Sequence, residues 1–153
     1  MTAEPDLGVL LAAACERLVR EILGELAGVG YGHLTPSQSL AALFIGDGLD
    51  TVTQLAERLG MTTQAISKIC ATLAVEGLLE RQPNEVDARS RRLALTPAGT
   101  EAVARMRAAG AAAERSWVEL VGDETLSVVK DALAAFAYAP RSASASPVRI
   151  RFS

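Results

Sequence analysis

A chain of 153 residues, half of them hydrophobic, is long enough to bury a core of its own and fits one domain or one compact subunit. A net charge of -3 and a pI near 5.2 speak against nucleic-acid binding through bulk positive charge, and no apolar run approaches the roughly 18 residues of a membrane helix. Two widely spaced cysteines, Cys15 and Cys70, and a lone histidine, His33, exclude a disulfide framework and a histidine-rich metal site; with no basic-then-apolar leader, a soluble cytoplasmic protein without cofactor is the expectation.

Residues 1–6 read as frayed. From Leu7 onward, Leu11, Cys15, Leu18, Ile22 and Leu26 recur at steps of three or four, which marks one face of a helix ending near Gly28 or Gly30. Tyr31, Gly32 and His33 form a connector. Thr35, Pro36 and Gln38 then supply a cap, a first-turn proline and a capping-box partner for a helix carrying Leu40, Leu43, Phe44 and Ile45. Residues 46–50 make a turn, and Thr51 with Gln54 repeats the capping box. In the helix this opens, Leu55, Ala56 and Leu59 keep helical spacing up to Gly60, a residue that can take the left-handed conformation ending a helix.

Thr62 or Thr63 caps the next helix, whose apolar side is Ile66, Ile69, Cys70 and Leu73, with Gly77 as its stop. Two short helices with this spacing make a helix-turn-helix. The period then changes. Leu78 and Leu79 lead out, a polar stretch with Pro83, Asn84 and Asp87 follows, and Leu93 and Leu95 alternate on the return, which predicts a hairpin with a long polar tip.

Thr96 followed by Pro97 restarts a helix in which Gly99, Val103, Met106, Gly110, Ala113, Trp117 and Leu120 alternate steps of four and three over about six turns. A domain this small cannot hide such a helix, so its seam predicts a partner: Gly110 with Ala113 lets another backbone approach, and Trp117 packs across the interface. Asp123 and Glu124 open a last helix with Leu126, Val129, Leu133, Phe136 and Tyr138 as its apolar residues. The first helix and the last two each carry more apolar surface than a winged helix can cover, and dimerisation is the economical answer. From Pro140 the composition turns small and polar, with three arginines and no acid, and reads as a solvated flexible tail.

Helix, turn, helix and hairpin together predict a mainly helical winged helix-turn-helix with a small β-hairpin wing. Its second helix belongs in the major groove of DNA, and burying Ile66, Ile69 and Leu73 turns Thr62, Thr63, Gln64, Ser67, Lys68 and Thr72 outward. Gln64 suits adenine, and Lys68 suits guanine or a phosphate. In the wing, four arginines (81, 89, 91, 92) against Glu85 and Asp87 between Arg81 and Arg92 make the segment locally basic in an acidic chain. Arg89 is the residue to enter the minor groove, Arg91 and Arg92 the phosphate contacts, and Arg81 a support for the hairpin base.

The order of elements and Leu55, Ala56, Gly60, Ser67, Gly77, Leu78, Arg81, Asp87, Arg89, Ser90, Leu95, Thr96 and Gly99 resemble the MarR family of bacterial transcriptional regulators. Ala88 departs from it, standing where many members carry a second arginine. The resemblance implies a homodimer, almost all helical and roughly triangular, with dimerisation helices in residues 1–34 and 100–139, a DNA-binding lobe in 35–99 and a tail in 140–153. It further implies that Asp87 braces Arg89, that double-stranded DNA is the partner, and that a small aromatic or anionic effector releases it. The effector pocket of the family falls near Arg17, Tyr31, His33 and Phe44.

One branch of the family senses hydroperoxides through a first-helix cysteine assisted by tyrosines. Cys15 stands on the apolar stripe here, in CERLVREIL, without those tyrosines, and reads as a core cysteine; Cys70 reads as core as well. A thiol-based oxidant sensor using Cys15 and a winged-helix protein-interaction module remain the rivals. An enzyme is not expected, because there is no phosphate loop, nucleophile elbow or metal constellation.

Overall fold

The computed structural model describes residues 5–87 and 91–139. Six helices and one hairpin follow in order: α1 (Leu7–Gly28), α2 (Pro36–Gly46), α3 (Val52–Leu59), α4 (Thr63–Val75), β1 (Leu79–Pro83), β2 (Arg91–Leu95), α5 (Pro97–Val121) and α6 (Asp123–Ala137). Mainly helical with a two-stranded antiparallel wing, this is the expected fold class.

The boundaries follow local chemistry. Thr35 and Thr51 each accept from the backbone N–H three residues on, and Gln38 and Gln54 reach back to the cap N–H, so both predicted capping boxes form. Gly60 ends α3 at φ 63°, and Thr62 rather than Thr63 caps α4. Asp6 is not frayed: its carboxylate accepts from the Gly8 N–H at 2.7 Å and caps α1.

The core lies in the lobe. Leu55 of α3, Ile66, Cys70 and Leu73 of α4, Leu78 and Leu79 at the start of the hairpin, Leu93 of β2 and Ala102, Val103 and Met106 of α5 are buried together with Leu26 of α1. The hairpin pairs Leu79 with Leu95 and Arg81 with Leu93, which sets the leucines over this core. Thr96 locks the hairpin to α5: its hydroxyl donates to the Gly77 carbonyl at 2.6 Å, and its N–H donates to the Leu78 carbonyl at 3.1 Å.

The long helix is used differently from its sequence reading. Its first half is core of the lobe, and Ala109 and Ala113 are buried where its second half packs on the chain's own α1. Much of the predicted intermolecular seam is therefore spent within the chain. The burial expected of Cys15 is also absent, since α1 buries only Leu26 within the chain and Cys15 is exposed. An amphipathic stripe states that a face is apolar; it does not state how much of that face its own chain can reach.

Candidate nucleic-acid interface

α4 presents two unlike sides. Ile66, Cys70 and Leu73 are fully buried, whereas Thr62, Thr63, Gln64 and Lys68 are exposed and Ser67 and Thr72 half-buried. Two of the expected contacts are partly committed to local structure. The Thr62 hydroxyl accepts from the Ala65 N–H at 3.1 Å, and the Thr72 hydroxyl donates to the Lys68 carbonyl at 3.2 Å. Ala71 is exposed and continues the face of Gln64, Ser67 and Lys68. Its apolar type hid it in the sequence, although its spacing of four from Ser67 marks it, and its methyl is of the kind that meets a thymine methyl.

Lys68 and Arg91 are exposed and carry no ion pair among the described residues. Arg92 is engaged differently. Its Nε donates to Asp50 Oδ2 at 2.6 Å, its Nη2 contacts the same oxygen, and the neighbouring Leu93 N–H donates to the Asp50 carbonyl at 2.7 Å. β2 is thereby tied to the turn before α3, and a phosphate contact by Arg92 has to compete with that carboxylate. The turn is held from its other end by Arg107 of α5, which donates to Asp47 at 2.6 Å. Arg81 lies opposite Leu93 in mid-hairpin rather than at its base. Arg89, the wing-tip residue, and with it the bracing expected from Asp87, lies outside the described residues, as does the tail from Pro140.

Of the four residues expected near an effector, Arg17 lines a cavity that the other three do not line. A cavity of about 320 Å³ between α1 and α5 is walled by Leu10, Leu18, Trp117 and Leu120, with Arg17, Glu21 and Ser116 as polar members. Trp117 thus forms part of a cavity wall within its own chain. The Ser116 hydroxyl donates to Glu21 at 2.6 Å and Arg17 Nε donates to Glu21 at 2.9 Å; the hydrogen bond from Ser116 first, and then Arg17, hold the Glu21 carboxyl below its ordinary range. His33 Nε2 lies 3.1 Å from Glu76 at the end of α4, Tyr31 is half-buried against the core, and Phe44 sits under the Arg58 guanidinium.

The two cysteines occupy opposite environments. Burial pushes the Cys70 thiol up, with Arg81 opposing more weakly, whereas Cys15 is exposed between two ion pairs, Arg17 with Glu21 and Arg20 with Glu16. An aromatic disulfide reagent at neutral pH is therefore expected to titrate one thiol in the native protein and two in denaturant. Two fast native equivalents would show α4 opening from the core. Among the described residues no cluster of three His, Cys, Asp or Glu side chains is placed to hold a metal, and no helix is long and apolar enough to cross a membrane.

Residues 34–90 match the sequence model of the MarR family. No curated protein sequence matches the chain. Among solved structures, the transcriptional repressor CouR bound to a 23-mer DNA duplex is 29% identical, with 86% of this chain and 92% of that chain covered and a TM-score of 0.74. CouR from Rhodococcus jostii RHA1 bound to p-coumaroyl-CoA, at 20% identity, covers 90% and 95% with a TM-score of 0.73. A MarR-family transcriptional regulator from Rhodococcus sp. RHA1, also at 20%, covers 92% and 99% with a TM-score of 0.75. At 20% identity the likeness is one of fold.

Proposed function

We propose, from the MarR-family DNA-binding winged helix that this chain carries, that it acts as a homodimeric transcriptional repressor on a pseudo-palindromic operator and is released by a small aromatic or anionic effector. The observation that carries this reading is α4 itself: a helix that buries Ile66, Cys70 and Leu73 holds Gln64, Lys68 and Ala71 outward beside a wing whose exposed Arg91 has no ion pair among the described residues. The 29% likeness to a repressor bound to DNA supports it. In this reading Thr62, Thr63, Gln64, Ser67, Lys68 and Thr72 face the major groove, Arg89 enters the minor groove braced by Asp87, and Arg91 meets phosphate.

Dimerisation by residues 1–34 and 100–139 is supported by where apolar surface stays uncovered. Leu7, Val9 and Leu10 on α1, Leu120 at the end of α5, and Val128 and Phe136 on α6 are all at least half exposed, Phe136 at 84%. Val75 and Val86 are exposed singly and need no explanation, but the set gathered on α1, α5 and α6 marks an interaction face. Two-fold symmetry of the protein then requires two-fold symmetry of the operator. For the effector, CouR is seen with p-coumaroyl-CoA, an aromatic and anionic molecule. An effector acts by preferring a dimer whose recognition helices no longer match the half-site spacing.

A gel-shift titration against DNA upstream of this protein's gene, at two salt concentrations, tests the reading. Competitor-resistant binding that weakens steeply with salt supports it. Binding that random competitor abolishes, followed by a random-sequence selection that enriches no motif, overturns it in favour of a protein-interaction module. A second reading, a thiol-based oxidant sensor, is favoured by the exposure of Cys15. Mass spectrometry after peroxide treatment decides it, since an unmodified Cys15 ends that reading.

A further inference from the structure

Arg58 stands in the last turn of α3, the first helix of the helix-turn-helix. Its guanidinium carbon lies 5.2 Å from the centre of the Phe44 ring and 4.4 Å from the centre of the Tyr138 ring. Both distances are within the range at which an aromatic face attracts a cation. Arg58 has no ion pair among the described residues, so no carboxylate draws it off the rings. Phe44 belongs to α2 and Tyr138 follows α6 directly. One side chain of the DNA-binding lobe thus holds an aromatic ring at the far end of the last helix.

The contrast with the rest of α6 makes this contact informative. α6 packs on α5, with Leu126 buried in its first turn and Lys130 at its middle donating to Glu114 at 2.8 Å. Toward its end Leu133 and Phe136 face outward, on the side offered for dimerisation. Tyr138, although 63% exposed, turns to the lobe instead.

We infer that Arg58 is a positioning residue: stacked on Phe44 and Tyr138, it sets the angle of the helix-turn-helix against the dimerisation helices and so fixes the half-site spacing that the dimer accepts. The inference rests on the DNA-binding dimer reading. Each recognition helix follows α3 after a turn of three residues, 60–62, so a rotation of α3 about α6 carries α4 with it. In a two-fold dimer that rotation changes the separation of the two recognition helices. A lobe released from Tyr138 adapts to more separations and discriminates less among them.

The test uses the full chain and duplexes from a random-sequence selection, with the selected half-site spacing, with one or two base pairs inserted between half-sites, and with one half-site alone. Tyr138→Ala and Arg58→Gln are expected to lower the ratio of affinities for correct over altered spacing by about threefold to fivefold, the factor that corresponds to one exposed cation–π contact. Tyr138→Phe keeps the ring and keeps the ratio. Affinity for a lone half-site and dimerisation stay at parental values, and the thermal midpoint falls by no more than about 4 °C, the shift that loss of one such contact brings, which separates positioning from loss of fold. An unchanged ratio in Tyr138→Ala overturns the inference while leaving the DNA-binding reading intact. So does a fall in half-site affinity confined to Arg58→Gln, which would make Arg58 a phosphate contact. A parent chain that selects no DNA removes both readings together.

Discussion

Gly99→Ala is expected to destabilise the protein by about 3 kcal/mol or more, or to prevent folding, because overpacking against backbone cannot relax through a side-chain rotation. A methyl built on Gly99 would stand 1.9 Å from the Leu78 carbonyl oxygen and 2.9 Å from its carbon. That carbonyl accepts from the Thr96 N–H, so α5 can withdraw only by breaking the bond that joins it to the hairpin. A loss of this size is a large part of the ~5–15 kcal/mol by which domains are stable. Denaturant and thermal unfolding monitored by circular dichroism measure it. A change below about 1 kcal/mol would mean that hairpin and helix are not in the contact described here.

Gly110 is the natural counterpart, since a methyl there meets nothing within 4 Å among the described residues. Gly110→Ala should raise the stability of the single chain by up to about 1 kcal/mol through helix propensity. Should the same substitution weaken dimerisation, a second backbone approaches at Gly110, as the spacing of the long helix predicts.

Lys68→Ala should weaken operator binding by about 2–6 kcal/mol, because each base or backbone contact of this kind contributes about 1–3 kcal/mol and a two-fold dimer loses it twice. Lys68 is exposed and carries no ion pair among the described residues, so its thermal midpoint should stay with the parent. Gln64→Ala should instead relax preference at one base position in each half-site, with a smaller fall in affinity. Fluorescence anisotropy against an operator and its single-base variants reads both effects. If both variants bind and discriminate like the parent, α4 does not lie in the major groove.

Much of the lobe is legible in the residues because its determinants are local. Thr35 with Gln38 and Thr51 with Gln54 exchange hydrogen bonds over three residues, and Gly60 turns left-handed where the apolar period of α3 ends. The division of α4 into a buried and an exposed side follows from the same period, which is why most of the candidate interface could be named in advance. Ala71 shares that exposed side by position, while its apolar type alone suggests the opposite. The Asp50 partner of Arg92 is not legible locally, because it stands 42 residues away in sequence.

The sequence by itself determined the order of helices and wing and the caps and turns that bound them, since all of these are written in contacts between near neighbours. Only the tertiary structure decided that α5 spends its seam on the lobe core and on α1, that Cys15 stays exposed, that Asp47 and Asp50 are held by Arg107 and Arg92, and that Arg58 lies between Phe44 and Tyr138. An apolar stripe or a charge specifies what kind of partner it needs, but the partner itself is chosen by which elements the packed core brings within a few ångströms.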